Sequence, residues 1–582
     1  MRFKVLALDY DGTIAQKDAL HPEIRLAIDE ARREGIVVIF VTGQNLKDLR
    51  RKAGDLKFID AVVAENGAVL FFPDKDRLIP LGQPLPSVLI EELRRRGIHH
   101  VTGECVVEAD ARHAHSVLDV IRGLELPLVI MFNRSRLMIL PQSISKATGL
   151  HEALSTLRLS PHNTIAIGDA ENDHALLEMC EVGVAVPWGS PALKKSADVV
   201  LDGKYPETIA AYIKEAAAGL RLPKLRKKRR LLLGSTVDGM PLAIAVLGRN
   251  LLIAGDSGSG KSWITGLLCE QLILQRYSVC VIDIEGEYSS LESLPGVIVL
   301  GREGPPRFRD IERAFRYPEV SIVIDLSTGS QEERFDYVLS LLEMLGKLRR
   351  KTGLPHRIFL DEAQYFFYGP DGLKMLDFDL AGYTFVTYQL SRLDPSILHA
   401  SEAILMTRKN DPSEIRQLHS MFGGKETYTQ WQAIIGNLST NEAVILPGTE
   451  ESGGRIRLFR MAQRLTSHVR HQNKYLDVPI PHDKEFIFTC HGVPTGHRAR
   501  SLAEFISLVS ICSTEVLKGH MRRHDFSSWI GEVFRDDSLA DSVRQLEMRR
   551  DLIHGMEIRH SLAKLIGESY MLPNSIVANN NI

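Results

Sequence analysis

Residues 251–262 read Leu251-Leu252-Ile253-Ala254-Gly255-Asp256-Ser257-Gly258-Ser259-Gly260-Lys261-Ser262. A short apolar run enters three glycines spaced through eight residues. From Trp263 to Leu274 the pattern changes to helical spacing. The expected local structure is strand, glycine loop, helix. Glycines let the backbone curl until its N–H groups point at one anion, and the positive end of the following helix adds to that field. Gly255, Asp256, Ser257, Gly258, Ser259, Gly260, Lys261 and Ser262 thus match a phosphate-binding P-loop. Lys261 is placed to reach the β- and γ-phosphates of ATP, and Ser262 to hold Mg²⁺.

The strands around this loop extend the reading. Val279–Ile282 runs into Asp283, Val320–Ile324 into Asp325, Tyr383–Thr387 toward Gln389, and Ala403–Met406 into Thr407-Arg408. Arg357-Ile358-Phe359-Leu360 ends in Asp361-Glu362-Ala363-Gln364, an apolar strand followed by Asp-Glu. That is the Walker B pattern. Asp361 would bind the magnesium shell, Glu362 would polarise the attacking water, and Gln389 is placed to sense the γ-phosphate. Strands alternating with helices, each ending in a polar residue, predict a parallel α/β sheet. A hairpin around Asp238-Gly239 is expected within Leu231–Leu247.

Residues 231–465 resemble the HerA/FtsK-like P-loop ATPases. The two Walker motifs, the Asp283-x-x-Gly286-Glu287-Tyr288 turn and the Gln389 strand carry the resemblance. It implies a RecA-like fold and a homo-oligomer, in the family a hexameric ring that often moves DNA, with an arginine supplied by the neighbouring subunit; Arg408 is the candidate. Arg249-Asn250 departs from the family's usual Arg-His, a change expected to affect packing. DNA itself has weak support. Lys347-Leu348-Arg349-Arg350-Lys351 is basic but carries no interleaved aromatics, and such a run is ordinarily a solvated helix face.

A second phosphate chemistry lies at the N-terminus. Val5–Leu8 is an apolar strand followed by Asp9-Tyr10-Asp11-Gly12-Thr13. Two carboxylates at the end of a buried strand are costly unless they meet a cation. Val37–Val41 ends in Thr42-Gly43-Gln44, Ser145-Lys146 opens a helix, and Thr164–Ile167 leads into Gly168-Asp169-Ala170-Glu171-Asn172-Asp173. Nucleophile, acid, phosphate ligands and metal ligands are all supplied at strand ends, where parallel α/β sheets do their chemistry.

These four motifs, in order over about residues 1–215, resemble the haloacid dehalogenase (HAD) phosphatases, closest to the Cof-like branch with a cap inserted between the second and third motifs. The resemblance implies that Asp9 forms an aspartyl-phosphate and that Asp11 acts as acid and then base. Thr42 and Lys146 would hold the phosphoryl oxygens. Asp9, Asp11, Asp169 and Asp173 would surround Mg²⁺. Gly43, Gln44, Asn66 (in Ala64-Glu65-Asn66-Gly67-Ala68) and Asn172 fall near the substrate. Gln44 stands where the family has arginine, and Gly183-Val184-Ala185-Val186-Pro187-Trp188-Gly189 stands where it has Gly-Val-Ala-Met-Gly-Asn. The cap would screen the site and favour a phosphorylated small molecule. Within it the expected elements are a helix at Leu85–Arg96, a strand at Val101–Glu108, a helix at Ala109–Leu124, and strands at Leu128–Ile130 and Arg136–Leu140. Arg134 and Arg136 are expected as solvated strand residues, with a second anionic group of the substrate as the alternative.

Length and composition frame the whole. At 582 residues the chain holds about three to four domains of ~150 residues. The expected boundaries are 1–80 with 141–215 for the HAD core, 81–140 for the cap, 216–230 for a basic linker, 231–470 for the ATPase and 471–582 for a mostly helical interaction module. The fold class is thus multidomain α/β with a helical end. The six cysteines form no CxxC pair, so neither a zinc site nor a disulfide framework is indicated. A net charge of −2 gives no global pull toward nucleic acid or membrane. With no signal-peptide layout and no apolar run of ~18 residues, a cytoplasmic protein without membrane contact is expected. In the last module, helices are expected at Ser501–Gly519, Asp525–Phe534 and Leu539–Ile566. His520 and His524 sit four apart, but no third ligand completes a metal site by spacing. The Asn-rich tail, Pro573–Ile582, is expected to fray.

Overall fold

The computed structural model describes residues 3–16, 19–133, 135–219, 229–245, 249–328, 331–423, 425–449, 451–466, 480, 484–534, 537–549 and 555–570. Most of the basic junction (220–228), Arg134, the 467–479 boundary and the C-terminal tail lie outside them. The chain divides into two compact units, Met1–His468 and Val469–Ile582.

The first unit contains two large sheets. The N-terminal sheet has, among the described residues, eight strands in the order Val199–Val200, Val182–Ala185, Thr164–Gly168, Val5–Asp9, Val37–Val41, Ala61–Ala64, Val69–Phe72 and Arg77–Pro80. It is parallel from the first of these to Ala61–Ala64, and the last two strands return antiparallel. Its central strands are buried on both faces, which is why they read as continuous apolar runs rather than alternating ones. Val5–Asp9, at the centre, ends at the first carboxylate of the N-terminal motif.

Between Arg77–Pro80 and the Lys146–Leu157 helix the chain inserts a four-stranded antiparallel sheet with two helices, Ser87–Arg95 and Ala114–Gly123, around its own small core. The strand expected at Val101–Glu108 is instead two, His100–Thr102 and Val107–Asp110, paired antiparallel. Gly103 and Glu104 make the turn between them. The second helix starts later than expected because Val107–Asp110 pairs with Arg136–Pro141 and Asp110 caps the turn that follows. Arg136 is exposed and ion-paired to Glu108 at 2.6 Å, in keeping with a solvated strand residue.

The other large sheet has eleven strands among the described residues. Its parallel part runs Ala403–Met406, Leu251–Ala254, Tyr383–Thr387, Arg357–Leu360, Val279–Asp283, Ser321–Asp325 and Val297–Leu300. The antiparallel strands Glu442–Ile445, Arg457–Met461, Arg230–Thr236 and Pro241–Ala245 complete it. The last two are the expected hairpin, with Gly239 at φ 76° in its turn. Asn250 ties strand starts together, accepting from Tyr383 N (3.0 Å) and donating to Ala400 O (3.2 Å), which is a packing role. The Lys347–Lys351 run lies in the Gln331–Thr352 helix. Arg349 is buried under carbonyls of Pro355 and Ala381, while Lys347 and Arg350 pair with Glu343 and Asp377.

The two sheets meet at the edges where their parallel strands begin. His162 and Asn163, ahead of Thr164–Gly168, and Glu181, ahead of Val182–Ala185, face Gln275–Ser278 and Gly353–His356, which precede two strands of the larger sheet. Glu181 accepts from His162 Nδ1 (2.6 Å), from Tyr277 Oη (2.9 Å) and from Arg229. His162 stacks on Tyr277 with centroids 3.7 Å apart, and His356 Nε2 lies 3.1 Å from Asn163 Oδ1. Arg229, within the expected basic linker, is mostly buried here, its guanidinium also donating to carbonyls of Met179 and Cys180. Reactive ends of parallel strands are the carboxyl ends. A base-to-base junction therefore leaves the two sets of carboxyl ends facing apart.

Burial alone would raise the Glu181 carboxyl, but His162 and Arg229 outweigh it and hold it below the usual range. Glu181→Ala would strand a buried guanidinium. A loss of about 3 kcal/mol is expected in chemical unfolding of the first unit. A depressed carboxylate stabilises the fold above its unfolded-state pKa and loses that contribution as pH falls through the folded one. The wild-type advantage over Glu181→Ala should therefore be full near neutrality and shrink below pH ~4.

The second unit packs helices on a two-stranded ribbon, Phe486–Cys490 with Val493–Ala499, around Phe486, Phe488, Phe505, Phe526 and Trp529. The expected Ser501–Gly519 helix is two, Leu502–Ile511 and Thr514–Arg523, because Cys512 is extended and Ser513 caps a new start. Leu539–Ile566 is likewise divided into Asp537–Glu547 and Gly555–Tyr570. His520 accepts from Thr489 N (2.9 Å) and pairs with Asp525 (2.6 Å). Both its ring nitrogens are taken up by these contacts. No described helix is long and apolar enough to cross a membrane.

Candidate active sites

At the carboxyl end of Val5–Asp9, side chains from four elements converge. Lys146, the first residue of a helix capped by Ser145, donates to Asp9 Oδ1 at 2.6 Å and to Asp173 Oδ1 at 2.7 Å. Asp173 Oδ2 accepts from the N–H groups of Asp169 and Ala170, both at 3.0 Å, which pins the loop after Thr164–Gly168. Thr13 donates to Asp169 at 3.1 Å. Asp9, Asp169 and Asp173 each offer an oxygen within 4.8 Å of the others, and all three are buried.

The charges are unbalanced. Burial, then Asp173, pushes the Asp9 carboxyl well above its usual range despite Lys146. Burial works against the Lys146 ammonium, but Asp173 and Asp9 outweigh it and hold the amine above its ordinary value. Asp9 Oδ2 is buried with no hydrogen-bond partner. Three carboxylates against one ammonium, with an orphaned oxygen among them, suit a hard divalent cation such as Mg²⁺.

Thr42, Gln44, Asn66 and Asn172 are each held by a neighbour. Thr42 donates to Asp11 Oδ2 at 2.9 Å, and the Gln44 amide donates to the other Asp11 oxygen. Gln44 therefore positions Asp11. Asn172 donates to Asn66 Oδ1 at 3.3 Å, and Asn66 reaches Met131 Sδ on the inserted sheet. Gly43 continues the Thr42 turn. Trp188, at the second sequence departure, donates from its indole to Gly12 O at 2.6 Å and stacks edge-on with Tyr205. It fixes the turn after Asp9. A lone tryptophan in a loop carries no spacing signal, so its role is visible only in the fold.

In the larger sheet, Gly255, Gly258 and Gly260 have φ of 158°, 69° and 106°. The last two values, in the left-handed region, are why glycine is needed there. Lys261 opens the helix Lys261–Leu274, is buried, and donates to Asp256 O at 3.0 Å. Ser262 follows in the first turn. Ser257 and Gly258 are exposed at the tip, and Ser259 bonds Asp256 O and Thr407 Oγ1 from beneath. Asp256 is held from the next strand's loop by Lys409 (3.1 Å) and by Asn410, whose N and Nδ2 both donate at 2.9 Å. Neither was singled out from sequence, because nothing local links residue 256 to residue 409.

Asp361 and Glu362 follow Arg357–Leu360, two strands from the loop. Burial, then Glu362, raises the Asp361 carboxyl well above its ordinary value, and its Oδ2 has no partner. Glu362 is buried in the left-handed region at φ 48°, a conformation a non-glycine side chain rarely adopts. Gln364 Nε2 donates to Glu362 at 2.6 Å, Thr387 Oγ1 donates to Gln364 Oε1 at 2.7 Å, and Gln389 N donates to Thr387 Oγ1 at 3.1 Å. Gln364 thus joins Glu362 to the Gln389 strand. Asp283 accepts from the N–H groups of Glu285, Gly286, Glu287 and Tyr288, so the Asp-x-x-Gly-Glu-Tyr turn is an aspartate cap. Burial pushes that carboxyl up to about 8. Arg408 O accepts Asp256 N at 2.8 Å, which sets Arg408 beside the loop of its own chain.

A family model described as haloacid dehalogenase-like hydrolase matches residues 6–110 and 106–213, and one described as Helicase HerA, central domain matches 230–344. A phosphoglycolate phosphatase of Sulfurisphaera tokodaii is 31% identical over 201 residues, 33% of this chain and 85% of its own length. Phosphoglycolate phosphatase 2 of Saccharolobus solfataricus is 28% identical over 204 residues, 34% of this chain and 85% of its own. A solved haloacid dehalogenase-like hydrolase of Bacteroides thetaiotaomicron aligns at 17% identity and TM-score 0.33, over 37% of this chain and 99% of its own. By its first 213 residues the chain belongs to the haloacid dehalogenase-like hydrolases, and its residues 230–344 are similar to the central domain of helicase HerA.

Proposed function

We propose that the Asp9 pocket hydrolyses a small phosphate monoester through an aspartyl-phosphate, and that the Gly255–Ser262 loop binds ATP for hydrolysis. The observation that carries the first reading is the buried Asp9 with one oxygen held by Lys146 and the other orphaned. Asp9, Asp169, Asp173 and the Asp11 carbonyl would hold Mg²⁺. The cation would offset the repulsion between a carboxylate and a phosphate dianion. Asp9 attacks phosphorus, and the ester oxygen leaves with a proton from Asp11. Asp11 then takes a proton from the water that cleaves the acyl phosphate, returning Asp9 and releasing phosphate. Lys146 and Thr42 hold phosphoryl oxygens during both steps.

The relatives' names and the small inserted sheet favour a compact acid such as 2-phosphoglycolate over a polymer end. The burial of Arg349 and the ion pairs of Lys347 and Arg350 weigh against that helix as a nucleic-acid contact. For ATP, Glu362 is the residue to polarise water, with Asp361 and Ser262 toward Mg²⁺ and Gln389 toward the γ-phosphate. A homo-oligomer with Arg408 near the shared site remains the family-based expectation.

The test is phosphate release by the full chain from 2-phosphoglycolate, from other small phosphomonoesters and from a 5′-phosphorylated oligonucleotide. Release from one or more small esters is expected with Mg²⁺, falling at least ~100-fold with excess chelator. Release only from the oligonucleotide would overturn the small-substrate reading.

A further inference from the structure

Glu65 directly follows the strand Ala61–Ala64, outside every role given above, yet it is buried at 2% exposure. Its two oxygens accept from two successive backbone N–H groups of the inserted sheet, Glu104 N and Cys105 N, each at 2.9 Å. These lie at the turn between His100–Thr102 and Val107–Asp110. Gly103 makes the approach possible, since a Cβ there would meet the Glu65 carboxylate at 2.5 Å. Cys105 in turn donates its thiol to Gly82 O at 3.1 Å. Gly82 lies where the chain enters the insertion and packs near Pro141, where it leaves. One carboxylate therefore grips the turn that sits against both crossings.

The backbone of Glu65 is as constrained as its side chain. Glu65 and Asn66 both adopt positive φ, 51° and 57°. Such a pair persists only where the surroundings over-determine it. Here Glu65 N donates to Gln44 O (2.9 Å), Asn66 N donates to Thr42 O (3.0 Å), and Gly67 fits so tightly that a Cβ would overlap Ser145 O. The same three residues thus touch the Thr42 turn, the start of the Lys146 helix, Asn172 and Met131.

We propose that Glu65 is a positioning residue that docks the inserted sheet over the Asp9 site and so sets the space left for substrate. The docking claim stands on geometry alone; its consequence for substrate rests on the phosphatase reading above. A carboxylate is required because both partners are donors. Glutamine keeps the shape but offers one acceptor and turns an NH₂ against the other N–H.

Two full-chain variants test this from opposite sides, Glu65→Gln and Gly103→Ala. Amide hydrogen exchange across residues 103–106 is expected to speed up at least tenfold in both, with the sheet centre at Val5–Asp9 unchanged. For the best small phosphomonoester, KM should rise at least tenfold while kcat changes less than threefold, because the reacting groups stay in place. Unchanged exchange at 103–106 in both variants would overturn the docking role. Faster exchange with equal losses in kcat and no change in KM would overturn the positioning role. Absence of phosphatase activity in the wild type would sink the phosphatase reading instead, and the exchange result would still decide the docking.

Discussion

Asp9→Asn should lower phosphate-monoester hydrolysis by roughly 10⁴-fold or more, the scale of removing a nucleophile, and leave ATP hydrolysis unchanged. An amide cannot form the acyl phosphate. It also removes one negative charge from a pocket that holds three carboxylates and one ammonium. Burial and Asp173 already push the Asp9 carboxyl well above its usual range, so its ionised form is disfavoured in the fold. A carboxyl with a raised pKa costs the fold stability as pH rises through its unfolded and then its folded value. In metal-free buffer at neutral pH, the variant should therefore melt no lower than wild type, and a higher Tm is expected. Loss of hydrolysis with a lowered Tm would mean the substitution had damaged the fold rather than the chemistry.

Lys261→Ala should do the reverse. The ammonium is buried beside the loop backbone, and no other described cation follows the glycines into the start of that helix. Without it the phosphates lose their main point charge, and ATP turnover should fall at least ~10²-fold in a direct ATPase assay. Phosphatase activity should stay within about twofold of wild type. The reason for expecting independence is geometric. The sheets join where their strands begin, through His162, Glu181, Tyr277 and His356, while each set of reactive groups lies at strand ends. No residue is shared. If both activities fell together in each variant with the fold intact, a conformational link across that junction would be required.

How much of this was legible beforehand depends on the span of the interaction involved. The strands Val37–Val41, Arg357–Leu360, Tyr383–Thr387 and Ala403–Met406 have the limits expected from sequence. A parallel strand buried on both faces is mostly apolar along its length, so it stands out from the polar loops around it. The inserted sheet and the C-terminal helices were read less well. A turn at Gly103-Glu104 and a break at Cys512-Ser513 look like continuous pattern until partners at Glu65 and in the helical core are known. The antiparallel strands Glu442–Ile445 and Arg457–Met461 are short and partly exposed, so period alone did not separate them from loops.

From the residues in order came the case for two phosphate sites, the carboxylates, amines and glycines that would serve them, and the α/β architecture that carries them. Those follow from local rules: apolar runs bury, glycine loops curl, and acids at strand ends seek cations. Only the folded chain decided that Gln44 holds Asp11, that Gln364 joins Glu362 to Thr387, that Glu65 grips a turn forty residues away, and that Arg229 closes a buried junction. Each of those is a hydrogen bond or ion pair whose partner is chosen by three-dimensional proximity, and no spacing along the chain encodes it.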